Sequence, residues 1–201
     1  MSSTLERPVD INLVDVPSIY RFGQRYGWHC NYQALFKHLA DREANMLFEH
    51  AVPTESIAVV ATDSANRGQV NFMTTLASFG YRVLSADFRL TRFPRIMDDP
   101  DVLTKANTLE TVADVLTHQL GELAGYCAAT QREGSCLVVT NDFRVARTMI
   151  YANTREKALK RNIALAFPTI GLGKAWQGLL DEKDIEHFDL MEVPGVWQKR
   201  E

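Results

Sequence analysis

Acidic side chains stand directly after several short apolar runs in this chain. Asp15 ends the first run, Asp142 follows a later one, and Asp63 and Asp87 close two others. Carboxylate oxygens are the ligands that hard cations such as Mg²⁺ and Mn²⁺ prefer. If the runs are parallel strands, the acids gather at one edge of a sheet and predict a cation site. The alternative roles are helix capping for Asp15 and Asp142, and loop positions without a ligand for the other two.

A further acidic pair lies in a segment, Thr108–Ala128, whose apolar residues repeat at helical spacing. Glu110 and Asp114 are four residues apart and share one face of the predicted helix, with His118 one turn further. Two carboxylates at this spacing repel each other, and a cation bound between them would relieve the repulsion. A solvated helix face is the alternative interpretation.

Arginines are concentrated near the same predicted edge. Arg89, Arg92 and Arg95 follow the third apolar run, and Phe88 and Phe93 are interleaved with them. Cations that bind phosphates and rings that stack on bases are typical of a groove for single-stranded RNA. The other arginines placed to extend such a groove are Arg21, Arg25, Arg144 and Arg147. The alternative is a solvated loop, in which the arginines pair with the three aspartates that follow.

The composition excludes several classes of protein. The 201 residues are 46% hydrophobic and 23% charged, which is typical of a globular domain and excludes a disordered chain. A net charge of −3 excludes a uniformly basic nucleic-acid-binding protein, although a local basic patch remains compatible. No Gly-x-Gly-x-x-Gly, Walker or Gly-x-Ser-x-Gly sequence follows a predicted strand, which argues against dinucleotide, P-loop and serine-hydrolase sites.

The cysteines and the apolar runs indicate a cytoplasmic protein. Cys30, Cys127 and Cys136 are an odd number without metal-ligand spacing, so we expect buried, reduced side chains. The N-terminal residues lack the basic start and apolar core of a signal peptide. No apolar run approaches the roughly 20 residues that span a bilayer, so we expect no membrane association.

Apolar and amphipathic segments alternate along the chain. Five strands are predicted at 11–16, 57–61, 81–86, 136–139 and 163–167, with a further candidate at 188–193. Alternation with helices indicates βαβ units and a parallel sheet covered on both faces. We therefore expect a three-layer α/β/α sandwich with a five-stranded, mainly parallel sheet over residues 1–170. Residues 171–201 are expected to form a C-terminal extension packed on the same domain.

Four segments, in order, resemble NYN domains, a group of PIN-like ribonucleases. They are LVDVPSIYRFGQRYGWHCNYQALFKHL, GQVNFMTTLASFGYRVLSADF, ADVLTHQL and CLVVTNDFRVART, and they extend over about residues 11–167. In the family a first strand ends in Asp, a Phe- and Leu-containing helix precedes a Gly-Tyr-x-Val strand, and a later strand ends in Ser-Gly-Asp or Thr-Asn-Asp. The resemblance implies the PIN-like form of the fold.

The resemblance also implies a metal-dependent endoribonuclease that cleaves single-stranded RNA. In the family, acids at the strand ends hold a divalent cation, which activates water and stabilises charge on the phosphate. Carried over to this chain, Asp15, Asp114 and Asp142 are the catalytic acids and the ligands of Mg²⁺ or Mn²⁺. Glu110 competes with Asp114 for the helix position.

The chain departs from the family pattern in its acids. Ser18 stands where the family usually has Asn. In one alignment Arg144 replaces the second acid after the later strand; in another, Asp142 is that acid and Thr140 replaces the first. The alternative function is therefore a catalytically degenerate NYN-like module that binds RNA, a second copy of the chain or another protein without cleavage. A phosphatase-like hydrolase with Asp15 as nucleophile is less favoured, because no acid follows two residues later.

Overall fold

A computed structural model describes the fold of most of the chain. It covers residues 10–41, 54–62, 67–87, 100–156, 163–183 and 185–200, and for residues 54, 87, 100–111, 153–156, 182 and 183 it describes the backbone alone. The predicted RNA-binding residues Arg89, Arg92 and Arg95 lie outside these ranges, as does Asp63.

Six parallel strands form the main sheet. They are β1 (Asp10–Asp15), β3 (Thr54–Thr62), β4 (Arg82–Asp87), β5 (Ser135–Val139), β6 (Ile163–Phe167) and β7 (His187–Asp189). Their order is β4-β3-β1-β5-β6-β7, and every pair of neighbours is parallel. Two further strands, β2 (Trp28–Cys30) and β8 (Trp197–Lys199), form a separate antiparallel pair. The predicted α/β class and mainly parallel sheet are confirmed.

Helices cover both faces of the main sheet. They are α1 (Val16–Tyr26), α2 (Tyr32–Ala40) and α3 (Arg67–Ser78) on one face, and α4 (Pro100–Thr130), α5 (Phe143–Glu156) and α6 (Lys174–Lys183) on the other. Alternate strand residues enter the two cores: Ile11 and Leu13 pack with α4 and α5, whereas Val14 packs with α1 and α2. The result is the expected three-layer arrangement. Within the described ranges, no helix is long and apolar enough to cross a membrane.

The sheet has six strands, so the prediction of five is wrong. β7 pairs with β6 through Leu165 and His187, and it overlaps the candidate segment 188–193 by only two residues. It is three residues long and its side chains are partly exposed. It therefore lacks the run of buried residues that reveals β5 and β6. Residues 171–201 contribute β7 to the sheet and α6 to the core.

The chain winds in two directions from β1. It adds β3 and β4 on one side, and after α4 it returns to the other side of β1 to add β5, β6 and β7. In doubly wound sheets, ligands bind where the direction of winding changes, outside the carboxyl ends of the strands. Here that position, the switch point, lies between the end of β1 at Asp15 and the end of β5 at Val139.

α1 begins directly at the end of β1, without an intervening loop. Val16 is already helical, and the Asp15 carboxylate caps the helix by accepting a hydrogen bond from the Ser18 N–H at 3.1 Å. Pro17 fits the first turn of a helix because no backbone N–H is needed there. Gly27 closes the other end with φ 73°, a left-handed conformation that favours glycine.

Glycine substitutions test the packing of α1 against β2. A Cβ at Gly23 would lie 2.7 Å from the Trp28 carbonyl oxygen, so Gly23→Ala should lower the free energy of unfolding by about 1–3 kcal/mol. Gly121→Ala in α4 is the matched control, because a Cβ there has no neighbour within 4 Å. It should raise the free energy of unfolding by up to about 1 kcal/mol. Urea denaturation measures both, and stabilisation by Gly23→Ala would contradict the close packing.

Candidate functional site

Asp15 is enclosed at the switch point. Its side chain is 0% exposed. One carboxyl oxygen, Oδ1, accepts from the Ser18 N–H at 3.1 Å, and the other, Oδ2, is 2.7 Å from the Thr140 hydroxyl. Both carboxyl oxygens of Asp15, a predicted metal ligand, therefore already have hydrogen-bond partners within the protein.

Two hydroxyl groups extend this contact into a buried network that joins β1 to β5. Ser18 Oγ donates to the Asp15 carbonyl oxygen at 3.1 Å and lies 3.1 Å from Thr140 Oγ1. The Asn141 N–H donates to Ser18 Oγ at 2.9 Å, and the Asp142 N–H donates to Thr140 Oγ1 at 3.0 Å. We call Asp15, Ser18 and Thr140 the switch-point network. It ties the start of α1 to the segment between β5 and α5.

The protonation state of Asp15 decides whether every contact in the network carries a proton. With an ionised carboxylate, the Thr140 hydroxyl donates to Asp15 Oδ2 and the Ser18 hydroxyl donates to the Asp15 carbonyl oxygen. No proton is then left for the contact between the two hydroxyl oxygens. With a neutral carboxyl, Asp15 donates to Thr140, Thr140 to Ser18, and Ser18 to the Asp15 carbonyl oxygen. Because one hydroxyl carries one proton, the ionised form leaves one of these three contacts without a proton, although every donor of the network has an acceptor in both forms.

The electrostatic environment of Asp15 acts in the same direction. Burial raises the pKa of its carboxyl above the ordinary value, because water no longer stabilises the charged form. The hydrogen bonds from Thr140 and Ser18 and the positive charge of Arg21 oppose this change but do not cancel it. We therefore expect Asp15 to hold its proton to a higher pH than an exposed aspartate does.

Asp142 caps α5. Its Oδ1 accepts from the Arg144 N–H at 2.9 Å, and its carbonyl oxygen accepts from the Ala146 N–H at 3.0 Å. The Arg144 guanidinium lies 3.7 Å from the same carboxylate oxygen. The network bond between the Asp142 N–H and Thr140 brings this residue to the same edge as Asp15. Helix capping, the alternative role recognised in the sequence, is therefore observed.

Asp114 is not brought to the switch point. Val112 and Leu116, two residues to either side, face the core on α4. At 3.6 residues per turn, a residue two positions away points roughly 160° from that direction. Asp114 is accordingly exposed, on the solvent side of α4. His118 is also exposed and lies 3.5 Å from Glu122.

The described residues do not assemble the predicted Mg²⁺ or Mn²⁺ site. No group of three His, Cys, Asp or Glu side chains within them is arranged to hold a metal ion. Asp15 uses its oxygens internally, Asp142 caps a helix, and Asp114 faces solvent. The side chains of Glu110 and Asp87, like the whole of Asp63, lie outside the described part.

The predicted RNA-binding arginines within the described ranges lie on two helices, α1 and α5, that start at the switch point. Arg21 is half-buried near Asp15, and Arg144 is exposed at the start of α5. The Arg25 guanidinium lies 5.5 Å from the centre of the Tyr26 ring. The Arg147 guanidinium lies 5.4 Å from the centre of the Tyr151 ring. Arg21 and Arg144 are therefore the two predicted RNA-binding residues that the structure places beside the network.

An apolar groove next to the network has no counterpart in the sequence analysis. Its volume is about 530 Å³, and its lining includes four aromatic side chains and one cation: Tyr20, Trp28, Tyr32, Phe72 and Arg200. These residues come from α1, β2, α2, α3 and the end of the chain, so no local spacing relates them. Val60 and Ala61, near the carboxyl end of β3, form part of its wall.

All three cysteines are buried and free, as the sequence predicts. Burial raises the pKa of the Cys30 thiol to about 12, which keeps it protonated and unreactive at neutral pH. A thiolate site is therefore not part of this region.

Comparisons with models of known protein families, with curated proteins and with solved structures give no match to this chain. The resemblance to NYN domains therefore rests on the four sequence segments alone.

Substitutions at Thr140 test the network. Thr140→Val keeps the shape but removes the hydroxyl, so Asp15 Oδ2 and the Asp142 N–H each lose the hydrogen bond to Thr140. We expect a loss of about 1–3 kcal/mol in the free energy of unfolding. Thr140→Ser keeps the hydroxyl, so its free energy of unfolding should fall by less than that of the valine variant. Equal stability of the valine variant and the wild type in chemical denaturation would show that the network contributes nothing.

Proposed function

We propose that this chain is a catalytically degenerate NYN-like module that binds single-stranded RNA without cleaving it. The enclosure of Asp15 carries the proposal. A cation could reach this carboxyl only by displacing the Thr140 hydroxyl, which donates to Oδ2 at 2.7 Å. Because the residue is 0% exposed, that exchange would also open the packed junction between β1 and α1.

Three features support RNA as the ligand. The four NYN-like segments occur in the family order along the chain. Arg21 and Arg144 lie beside the switch point, where a phosphate backbone would find positive charge. The neighbouring groove offers aromatic rings, on which bases stack.

Metal-dependent cleavage is the second candidate, and one observation favours it. The hydrogen bonds from Thr140 to Asp15 and from the Asp142 N–H to Thr140 place two of the three predicted acids at adjacent strand ends. A nuclease would need an ionised Asp15 and further ligands, for which Glu110, Asp63 and Asp87 are the sequence candidates.

RNA binding with and without metal separates the two functions. For a fluorescent single-stranded RNA, we expect the same affinity in EDTA and in Mn²⁺, intact RNA after prolonged incubation, and weaker binding at higher salt as phosphate contacts are lost. Asp142→Asn is the matched variant, because asparagine caps helices as well as aspartate does. This variant should fold like the wild type, and the RNA should stay intact in its presence.

Cleavage in Mn²⁺ that is lost in both Asp15→Asn and Asp142→Asn would overturn the non-cleaving proposal in favour of a nuclease. Absence of RNA binding by the wild type at low salt would remove RNA as the ligand. A second copy or another protein would then be the partner.

A further inference from the structure

The apolar groove has the size and lining of a site for a small planar group. Its volume of about 530 Å³ lies within the range of small-ligand pockets, which are mostly apolar with few polar groups. We call this feature the aromatic groove and define it by Tyr20, Trp28, Tyr32, Phe72 and Arg200.

The wall of the aromatic groove is held in place by its own contacts. The Tyr32 hydroxyl donates to the Val16 carbonyl oxygen at 3.3 Å, and the Tyr32 ring meets the Phe72 ring edge-on at 5.6 Å. The backbone N–H of Arg200 donates to the Gly27 carbonyl oxygen at 2.9 Å. The Tyr32 and Phe72 rings and the Arg200 backbone are therefore positioned before any ligand arrives, which reduces the entropy lost on binding.

Tyr20 offers exposed apolar surface at this groove. It is one of four large hydrophobic side chains that are exposed in the described ranges, and it is the one of these four that lines the groove. Tyr20 is 48% exposed, so a ligand that covers its ring would remove apolar surface from water.

The charge of the groove selects an anionic ligand. Arg200 lines it, and none of the described lining residues is acidic. Aromatic rings next to a cation are the combination that binds an unstacked base and its phosphate, whereas an apolar protein side chain would gain nothing from Arg200.

We propose that the aromatic groove binds one unstacked base of single-stranded RNA, with the adjoining phosphate at Arg200. This inference rests on the proposed RNA-binding function and specifies where a base is held. The site adjoins the switch point but does not use the predicted acids, because Val16 and Pro17 line the groove whereas Asp15 and Asp142 do not.

The test measures the affinity of wild type and variants for a fluorescent twelve-nucleotide uridine RNA by anisotropy. Tyr20→Ala should weaken binding about ten-fold, since stacking on one ring contributes about 1–3 kcal/mol per base. Tyr20→Phe keeps the ring and should keep most of the affinity. Tyr151→Ala is the matched control, because Tyr151 is a similarly exposed tyrosine on α5 in the opposite layer; it should bind like the wild type.

A second variant addresses the phosphate. Arg200→Gln should reduce the slope of log affinity against log salt by about one unit of charge, and the control Lys174→Gln on α6 should not.

The possible failures are distinguishable. Unchanged affinity of Tyr20→Ala, with clear binding by the wild type, would overturn the groove site and leave the proposed function standing. Absence of RNA binding by the wild type would overturn both. A change in oligomeric state of Tyr20→Ala by sedimentation, without a change in RNA affinity, would assign the groove to a second copy of the chain and overturn this proposal.

Discussion

The hydrogen-bond network of Asp15, Ser18 and Thr140 fixes the point where the two halves of the sheet meet. β1 ends there, α1 starts without a loop, and β5 leads into α5. Because all three side chains are buried, their donors and acceptors must be satisfied within the protein. The network achieves this, and it uses the same Asp15 oxygens that a metal site would use. The fold and a metal site therefore compete for one carboxyl group.

This competition shapes the proposed function. A doubly wound sheet opens a crevice at its switch point, but here the network closes it. The surfaces that remain beside it are Arg21 in α1, Arg144 at the start of α5, and the aromatic groove between α1, β2 and α3. The direct start of α1 after Asp15 also positions Tyr20, one turn later, at the rim of the groove. A binding surface thus depends on the same junction that encloses the acid.

The sequence predicted most of the sheet, because each of the strands β1, β3, β4, β5 and β6 contains a run of apolar residues. The candidate strand at 188–193 overlaps β7 by only two residues, because β7 is too short for such a run. The sequence missed α1, because Pro17 is typical both of turns and of the first turn of a helix. Strand-end acids were found at Asp15 and Asp142, but a cap and a metal ligand have the same sequence pattern.

The four-residue spacing of Glu110 and Asp114 predicted a shared helix face without revealing which way that face points. The aromatic groove was missed because its residues come from separate elements.

The ionisation of Asp15 in the presence of Mg²⁺ tests the central claim most directly. In ¹³C NMR, the Asp15 carboxyl resonance is assigned by its loss in Asp15→Asn. Because burial raises the pKa of this group, the resonance should stay at its protonated position while exposed carboxyls lose their protons, and Mg²⁺ at neutral pH should not move it. A carboxyl that ionises with the exposed ones, or that shifts together with Asp142 when Mg²⁺ is added, would contradict the account.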